Sequence, residues 1–395
     1  MKFDFVGKKG SEGSALSLIP TTCEEVPPPR ILADARRMTA LARELARCGY
    51  TLANCAARLG VFPRLGVNFW PATRRAWTAD ESDPVDTLIE LFIDGRAVAT
   101  ERLRRHVSAA FVDALVETRL AEETGTSSHA SSHTSIQSKL CLFPCYGKFI
   151  VTDRAVKNTA INQVMWLWGE SYILGGLVKR LPRRHAIDLG TGSGVHALLA
   201  SDHCQSVIGV DINPRALEFA RFNAALNGIS NVEFVASDLF HALDSTCDLL
   251  LANPPYLPDG AAQAGDNFWS GGVGGSEILH RIVAALPPRL DEDGTAHLVG
   301  LYPSPPGTST AEHFDRWLGD ALHEYEVLDH TWPVPYFQDM LSAEPFVGDK
   351  SAWRFGVISL RRAASGKGWW KPVAGNGMFF REDGSCCVVS DHDIF

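Results

Sequence analysis

Seven residues constrain this chain more than any others: Asp188-Leu189-Gly190-Thr191-Gly192-Ser193-Gly194. His185-Ala186-Ile187 precedes them and Val195-His196-Ala197-Leu198-Leu199-Ala200 follows. That order reads as a short buried strand, a glycine turn and a helix. Glycines on alternate positions let the backbone turn tightly and approach a ligand, because no Cβ stands in the way. A second strand over 206–211 ends in Asp211, about 20 positions on, the spacing at which a carboxylate meets a ribose. A fourth strand over 248–252 runs into Asn253-Pro254-Pro255-Tyr256.

Around this stretch strands and helices alternate. Strands are expected over 185–188, 206–211, 232–235, 248–252 and 295–300, with a late one over 353–360. Helices are expected over 194–201, 214–226 and 275–285. Pro214 opens the second of these and Asn227-Gly228 closes it. Such alternation implies a parallel sheet wrapped by helices, with ligands at the carboxyl ends of the strands.

The chain ahead of this unit divides by composition. Residues 1–29 form an irregular arm ending in three prolines. Residues 30–122 carry helical patterns and form a small, mainly helical N-terminal domain. Residues 123–139 are rich in Ser, Thr, Gly and His, and read as a linker. His129 and His133 belong to that linker and not to a metal site. Residues 140–395 form the main domain with a C-terminal extension. It opens with paired strands over 140–144 and 149–152 about a turn at Tyr146-Gly147. A turn-and-helix segment over 158–177 follows, carrying Trp166, Trp168, Glu170 and Tyr172.

Composition narrows the class. Of 395 residues, 45% are hydrophobic and 21% charged, as in a soluble globular protein. The net charge of −9 disfavours a general nucleic-acid partner. The four arginines of the first helical segment (Arg36, Arg37, Arg43, Arg47) read as a solvated face. No apolar run approaches the roughly 18 residues of a membrane helix, and the N-terminus lacks a signal-peptide core. A cytoplasmic protein without a membrane partner is expected, and a homodimer is compatible with the sequence. Nine scattered cysteines show no paired zinc spacing, so no metal is expected.

Which ligand the turn holds follows from its spacing. A dinucleotide fingerprint wants a further glycine where Val195 stands, and no Gly-Lys-Ser/Thr follows for a P-loop. The pattern strand-Asp-x-Gly-x-Gly-x-Gly resembles the first motif of class I S-adenosylmethionine-dependent methyltransferases, over roughly residues 145–300. The resemblance implies an α/β fold: a Rossmann-like seven-stranded methyltransferase sheet. It also implies roles. Gly190, Gly192 and Gly194 let the methionine part of the cofactor pass. Asp188 sits by its amino group, directly or through water. Asp211 takes both hydroxyls of the ribose, Ile212 and Asn213 border the adenine, and Asp238 and Leu239 hold its amino edge.

Asn253-Pro254-Pro255-Tyr256 resembles the motif of enzymes that methylate planar nitrogen, among them release-factor glutamine, guanine-N2 and adenine-N6 methyltransferases. An amide nitrogen attacks poorly because its lone pair is delocalised. The Asn253 side-chain oxygen and the Pro254 carbonyl each accept one N–H, and Tyr256 stacks on the acceptor plane. Asn253 also borders the cofactor. Catalysis is then mainly alignment.

The motif leaves the acceptor open. The aromatic side chains Trp166, Trp168 and Tyr172, then Phe268 and Trp269, then Trp332, Tyr336 and Phe337, suggest a closed pocket. Trp168, Glu170, Tyr172, Tyr256 and Trp269 are the expected substrate contacts, with Asn158 and Asn162 nearby. The leading expectation is a small-molecule acceptor, an amino acid or secondary-metabolite intermediate methylated on nitrogen or a thioether sulfur. The alternatives are a protein glutamine, cyclisation of the cofactor itself, or a non-catalytic cofactor-binding protein. The Gly-rich stretch 270–275 reads as a lid hinge or a plain connector.

Overall fold

The computed structural model describes residues 26–60, 77–125, 134–154, 162–259, 270–272, 274–303, 310–333, 353–362, 370–372, 378–380 and 386–388. Its centre is one sheet with strands β1 (Arg183–Leu189), β2 (Cys204–Asp211), β3 (Val232–Ala236), β4 (Cys247–Ala252), β5 (Leu290–Pro303), β6 (Tyr325–Pro333), β7 (Trp353–Arg362) and β8 (Trp370–Pro372). The spatial order is β3-β2-β1-β4-β5-β7-β6-β8. β1 to β5 are mutually parallel, and β7 runs antiparallel between β5 and β6. The short β8 adds an eighth strand to the seven expected.

The strands are apolar because both faces are covered. Successive residues feed opposite layers, as a pleat requires. Ala186, Leu249 and Leu251 pack in one core, while Ile187, Leu189, Leu250 and Ala252 pack in the other. The first core includes Met38, Leu41, Leu88 and Phe111 of the N-terminal helices. Strands Glu122–Thr124 and Ser135–Gln137 pair with each other at the two ends of the Ser/His-rich segment. The second core takes Leu279, Ile282 and Val283 of the helix Glu277–Ala284.

Local chemistry explains where most elements start and stop. Asp34, Thr51, Asp83, Ser108 and Asn213 each accept a backbone N–H at a helix start. The hairpin Leu140–Cys145/Lys148–Asp153 turns at Tyr146 and Gly147, both at positive φ, which matches the strand twist. Two segments are sharpened by the structure. In the turn-and-helix segment over 158–177 the helix begins at Gly169, after a turn at Asn162 and a stretch over 163–168 that belongs to no regular element. The helix Ala109–Glu117 ends shortly before Arg119, which stands at φ 62°. The helices Thr100–His106 and Thr310–Leu318 and strand β6 are additional elements.

Among the described residues no helix is long and apolar enough to cross a membrane. None of their His, Cys, Asp and Glu side chains group as a metal site. Cys48, Cys55, Cys141, Cys145, Cys204 and Cys247 are all buried.

Candidate active site

Strand order reverses between β1 and β4, and a crevice opens there at the carboxyl ends of both strands. Leu189 and Ala252 are register partners, so Gly190 and Asn253 leave the sheet side by side. The two motifs that stand apart in sequence therefore share one cleft.

On one side is the glycine turn. Gly190, Gly192 and Gly194 have φ of 67°, 52° and 84°, a region that strains any residue with a Cβ. A Cβ at Gly190 or Gly192 would meet nothing closer than 3.9 Å, so these two leave open space above the turn. Gly194 serves packing instead, since a Cβ there would lie 3.0 Å from the Ala220 Cβ.

Asp188 lies fully buried beneath the turn. Its Oδ2 accepts from the Thr191 hydroxyl at 2.6 Å and the Ala197 N–H at 3.0 Å. Its Oδ1 has no partner among the described residues. Burial pushes this carboxyl up to about 7, against those two hydrogen bonds. A buried carboxylate oxygen without a donor is costly unless a ligand supplies one.

Asp211 ends β2 and has a second task that sequence reasoning missed. Its Oδ2 accepts from Gly192 N–H at 2.8 Å and its Oδ1 from Asn213 N–H at 2.8 Å. Each oxygen keeps a lone pair for a ligand hydroxyl. Burial raises this carboxyl too, with the backbone N–H groups of Asn213, Gly192 and Ile212 opposing. Ile212 is 65% exposed, an apolar platform beside the carboxylate. Asn213 caps the helix Pro214–Leu226 and donates to the Asn162 carbonyl at 2.8 Å. Asp238 lies exposed and pairs with Arg281 at 2.7 Å. Leu239, at φ 49°, packs on the second core.

Across the cleft, the Asn253 carboxamide is half-buried and makes no hydrogen bond to a described residue. Pro254 and Tyr256 are buried. The Tyr256 hydroxyl donates to Glu170 Oε1 at 3.2 Å, and its ring lies 5.2 Å from that of Phe355 on β7. Glu170 sits in the first turn of the helix Gly169–Leu177, and burial pushes its carboxyl up to about 7. Trp166 and Trp168 meet at a tilt on the segment ahead of it, their ring centroids 6.3 Å apart.

That segment is anchored from below. Asp153 accepts from Val164 N–H and forms a buried pair with Arg215 at 2.5 Å. Behind the tetrapeptide, the Gly-rich stretch folds back: Gly271 N–H donates to Leu257 at 2.7 Å and Asp259 N–H to Gly272 at 2.9 Å. A Cβ on Gly271 would come within 2.1 Å of the Gly275 carbonyl and 2.9 Å of that of Pro255. The stretch is a bracket against the back of the loop.

Tyr172, expected at the substrate, belongs to the core. Its hydroxyl donates to the Pro144 carbonyl at 3.3 Å, and its own carbonyl takes the Tyr146 hydroxyl at 2.8 Å. Trp269, with Asn158, Phe268, Tyr336 and Phe337, lies outside the described residues, and Trp332 is described in backbone only.

Residues 182–270 match a family described as a methyltransferase domain. With the sheet order and the glycine turn, this identifies residues 182–270 as a methyltransferase domain, with S-adenosylmethionine as its cofactor. More particular likenesses are to curated proteins. The release factor glutamine methyltransferase of Mycolicibacterium smegmatis is 37% identical over 137 residues, 32% of this chain and 48% of that one. That of Mycobacterium leprae is 30% identical over 194 residues, 45% of this chain and 61% of that one. The ribosomal protein uL3 glutamine methyltransferase of Bradyrhizobium diazoefficiens is 37% identical over 120 residues, 27% and 38%. The chain thus spans between about two fifths and three fifths of these relatives.

These likenesses overturn the small-molecule acceptor and the small-molecule partner. Each relative is named for a glutamine of a protein. The closed aromatic pocket that suggested a metabolite also loses Tyr172 to the core.

Proposed function

We propose that this chain transfers a methyl group from S-adenosylmethionine to the side-chain amide nitrogen of a glutamine in a protein. The observation that carries the reading is the Asn253 carboxamide, which makes no hydrogen bond to a described residue and leaves the sheet beside the glycine turn at the end of β4. The likeness to protein glutamine methyltransferases supports it.

The residues fit the donor. Asp188 offers its unpartnered Oδ1 to the donor's amino group. Asp211 offers a lone pair on each oxygen to the ribose hydroxyls, and Ile212 an apolar face to adenine. Gly190 and Gly192 leave room for the methionine chain. Asn213, Asp238 and Leu239 border the adenine rim.

When bound, S-adenosylmethionine supplies an electrophilic methyl group on a sulfonium. The Asn253 side-chain oxygen and the Pro254 carbonyl accept the two N–H bonds of the glutamine amide. That pair of acceptors fixes the amide plane and presents the nitrogen to the methyl. Tyr256 lies against the amide, and Glu170 holds its hydroxyl. Trp168 lines the entrance. Transfer would form the nitrogen–methyl bond as the sulfur–methyl bond breaks, leaving S-adenosylhomocysteine as a neutral thioether, and the nitrogen would lose one proton to solvent.

The test is transfer of a tritiated methyl group to a size-fractionated lysate, followed by exhaustive enzymatic digestion of the labelled protein to amino acids. Label recovered as N5-methylglutamine, and absent with Asn253→Ala, is the expected result. Label confined to small molecules, or to another residue, overturns the reading.

A further inference from the structure

Two asparagines outside the cleft make an arrangement that the reaction does not use. Asn223 and Asn227 stand four apart on the helix Pro214–Leu226 and its C-cap, so they share one face. They meet the edge of strand Lys148–Asp153 that faces away from its hairpin partner. Asn223 accepts from Val151 N–H and donates to the Val151 carbonyl, both at 2.9 Å. Asn227 does the same with Phe149, at 2.9 and 2.8 Å. Four residues of helix rise about 6 Å and two residues of strand about 6.7 Å, so the two side chains imitate a neighbouring strand. The edge is satisfied without a strand beside it.

The two asparagines differ in one bond. Asn223 is fully buried, and its remaining amide hydrogen donates to the Ser193 carbonyl at 2.8 Å. Ser193 lies between Gly192 and Gly194, two residues at positive φ. Asn227 instead spends that hydrogen on the Asn223 carbonyl at 2.7 Å. Ala220, one turn before Asn223, is the residue against which Gly194 packs. The glycine turn is therefore held from behind by this helix at two points.

We infer that Asn223 is a positioning residue for the donor site: it fixes the glycine turn through Ser193 and ties it to the hairpin, so that hairpin docking and donor binding are coupled. Asn227 is the internal control, since it docks the same strand with the same two bonds and does not touch the turn. The inference rests on the cofactor assignment alone, so a failed glutamine assay leaves it standing.

The experiment is calorimetric binding of S-adenosylhomocysteine to the full chain, with Asn223→Ala and Asn227→Ala compared at a temperature where both are folded. The expected result is a Kd about tenfold weaker for Asn223→Ala and within about twofold of the parent for Asn227→Ala, one hydrogen bond's worth of difference. Equal weakening in both, or none in Asn223→Ala, overturns the inference. Coupling is reciprocal, so the unaltered protein offers a second measurement that stands if Asn223→Ala does not fold. S-adenosylhomocysteine is expected to slow hydrogen exchange at the Val151 amide, and an unchanged rate there overturns the inference equally.

Discussion

The two sides of the cleft are built differently. The donor side is made of backbone and near neighbours: three glycines, a carboxylate at the end of β1 and another at the end of β2, joined by the Gly192–Asp211 bond. The acceptor side is made of side chains brought from far apart. Glu170, Tyr256 and Phe355 meet there from a helix, a loop and a late strand. The donor side should be sensitive to backbone geometry and to charge, and the acceptor side to loss of single contacts, each leaving the other intact.

The largest expected separation is Asn253→Ala. It should lower turnover about 10²–10³-fold, as loss of a preorganised polar contact does, while S-adenosylhomocysteine binding, which Asn253 only borders, weakens far less, by about twofold. Loss of binding as well would show that the two sides are one unit. Gly194→Ala is the donor-side counterpart. Its φ of 84° and the 3.0 Å approach to Ala220 should cost about 2–3 kcal/mol of unfolding free energy in a urea titration and weaken donor binding.

A smaller effect distinguishes the sides by pH. Burial pushes the Asp188 carboxyl up to about 7, well above the ordinary aspartate range, so between that range and 7 the folded state binds the extra proton. Stability is therefore fully present below the unfolded value and declines as pH rises toward 7. A donor ammonium needs the ionised carboxylate, so S-adenosylhomocysteine affinity should rise about tenfold from roughly pH 6 to 8. Asp188→Asn should flatten that rise, and an unflattened profile would put the titration elsewhere. The smallest effect expected is Tyr256→Phe, which removes the bond to Glu170 and should lower turnover by about three- to tenfold with donor affinity unchanged. A donor-side change in that variant would join the halves.

The difference in construction also explains what could be read in advance. Glycine spacing, the strand-end carboxylates and the Asn-Pro-Pro-Tyr tetrapeptide declare themselves locally, because a positive φ or a rigid proline is a demand on a single residue. The aromatic side chains did not declare themselves. Glu170 and Tyr172 are two apart on one helix, about 200° around its axis, so they face opposite ways. One reaches Tyr256 and the other joins the hairpin core. Their clustering in sequence suggested a single pocket, and from that a metabolite. The acceptor is a property of surfaces that no cofactor motif encodes. Asp211 was assigned to the ribose alone, because its bond to Gly192 exists only once β1 and β2 lie in register.

By itself, then, the sequence determined the glycine turn, the alternation of strands and helices, the cofactor class and the tetrapeptide beside it. Each depends on backbone preferences or spacings within a few residues. Only the tertiary structure decided that Gly190 and Asn253 emerge together, that Tyr256 is held by Glu170, and that Asn223 props the turn from behind. Those contacts join residues tens of positions apart, and sheet order and register, not local preference, bring them within reach.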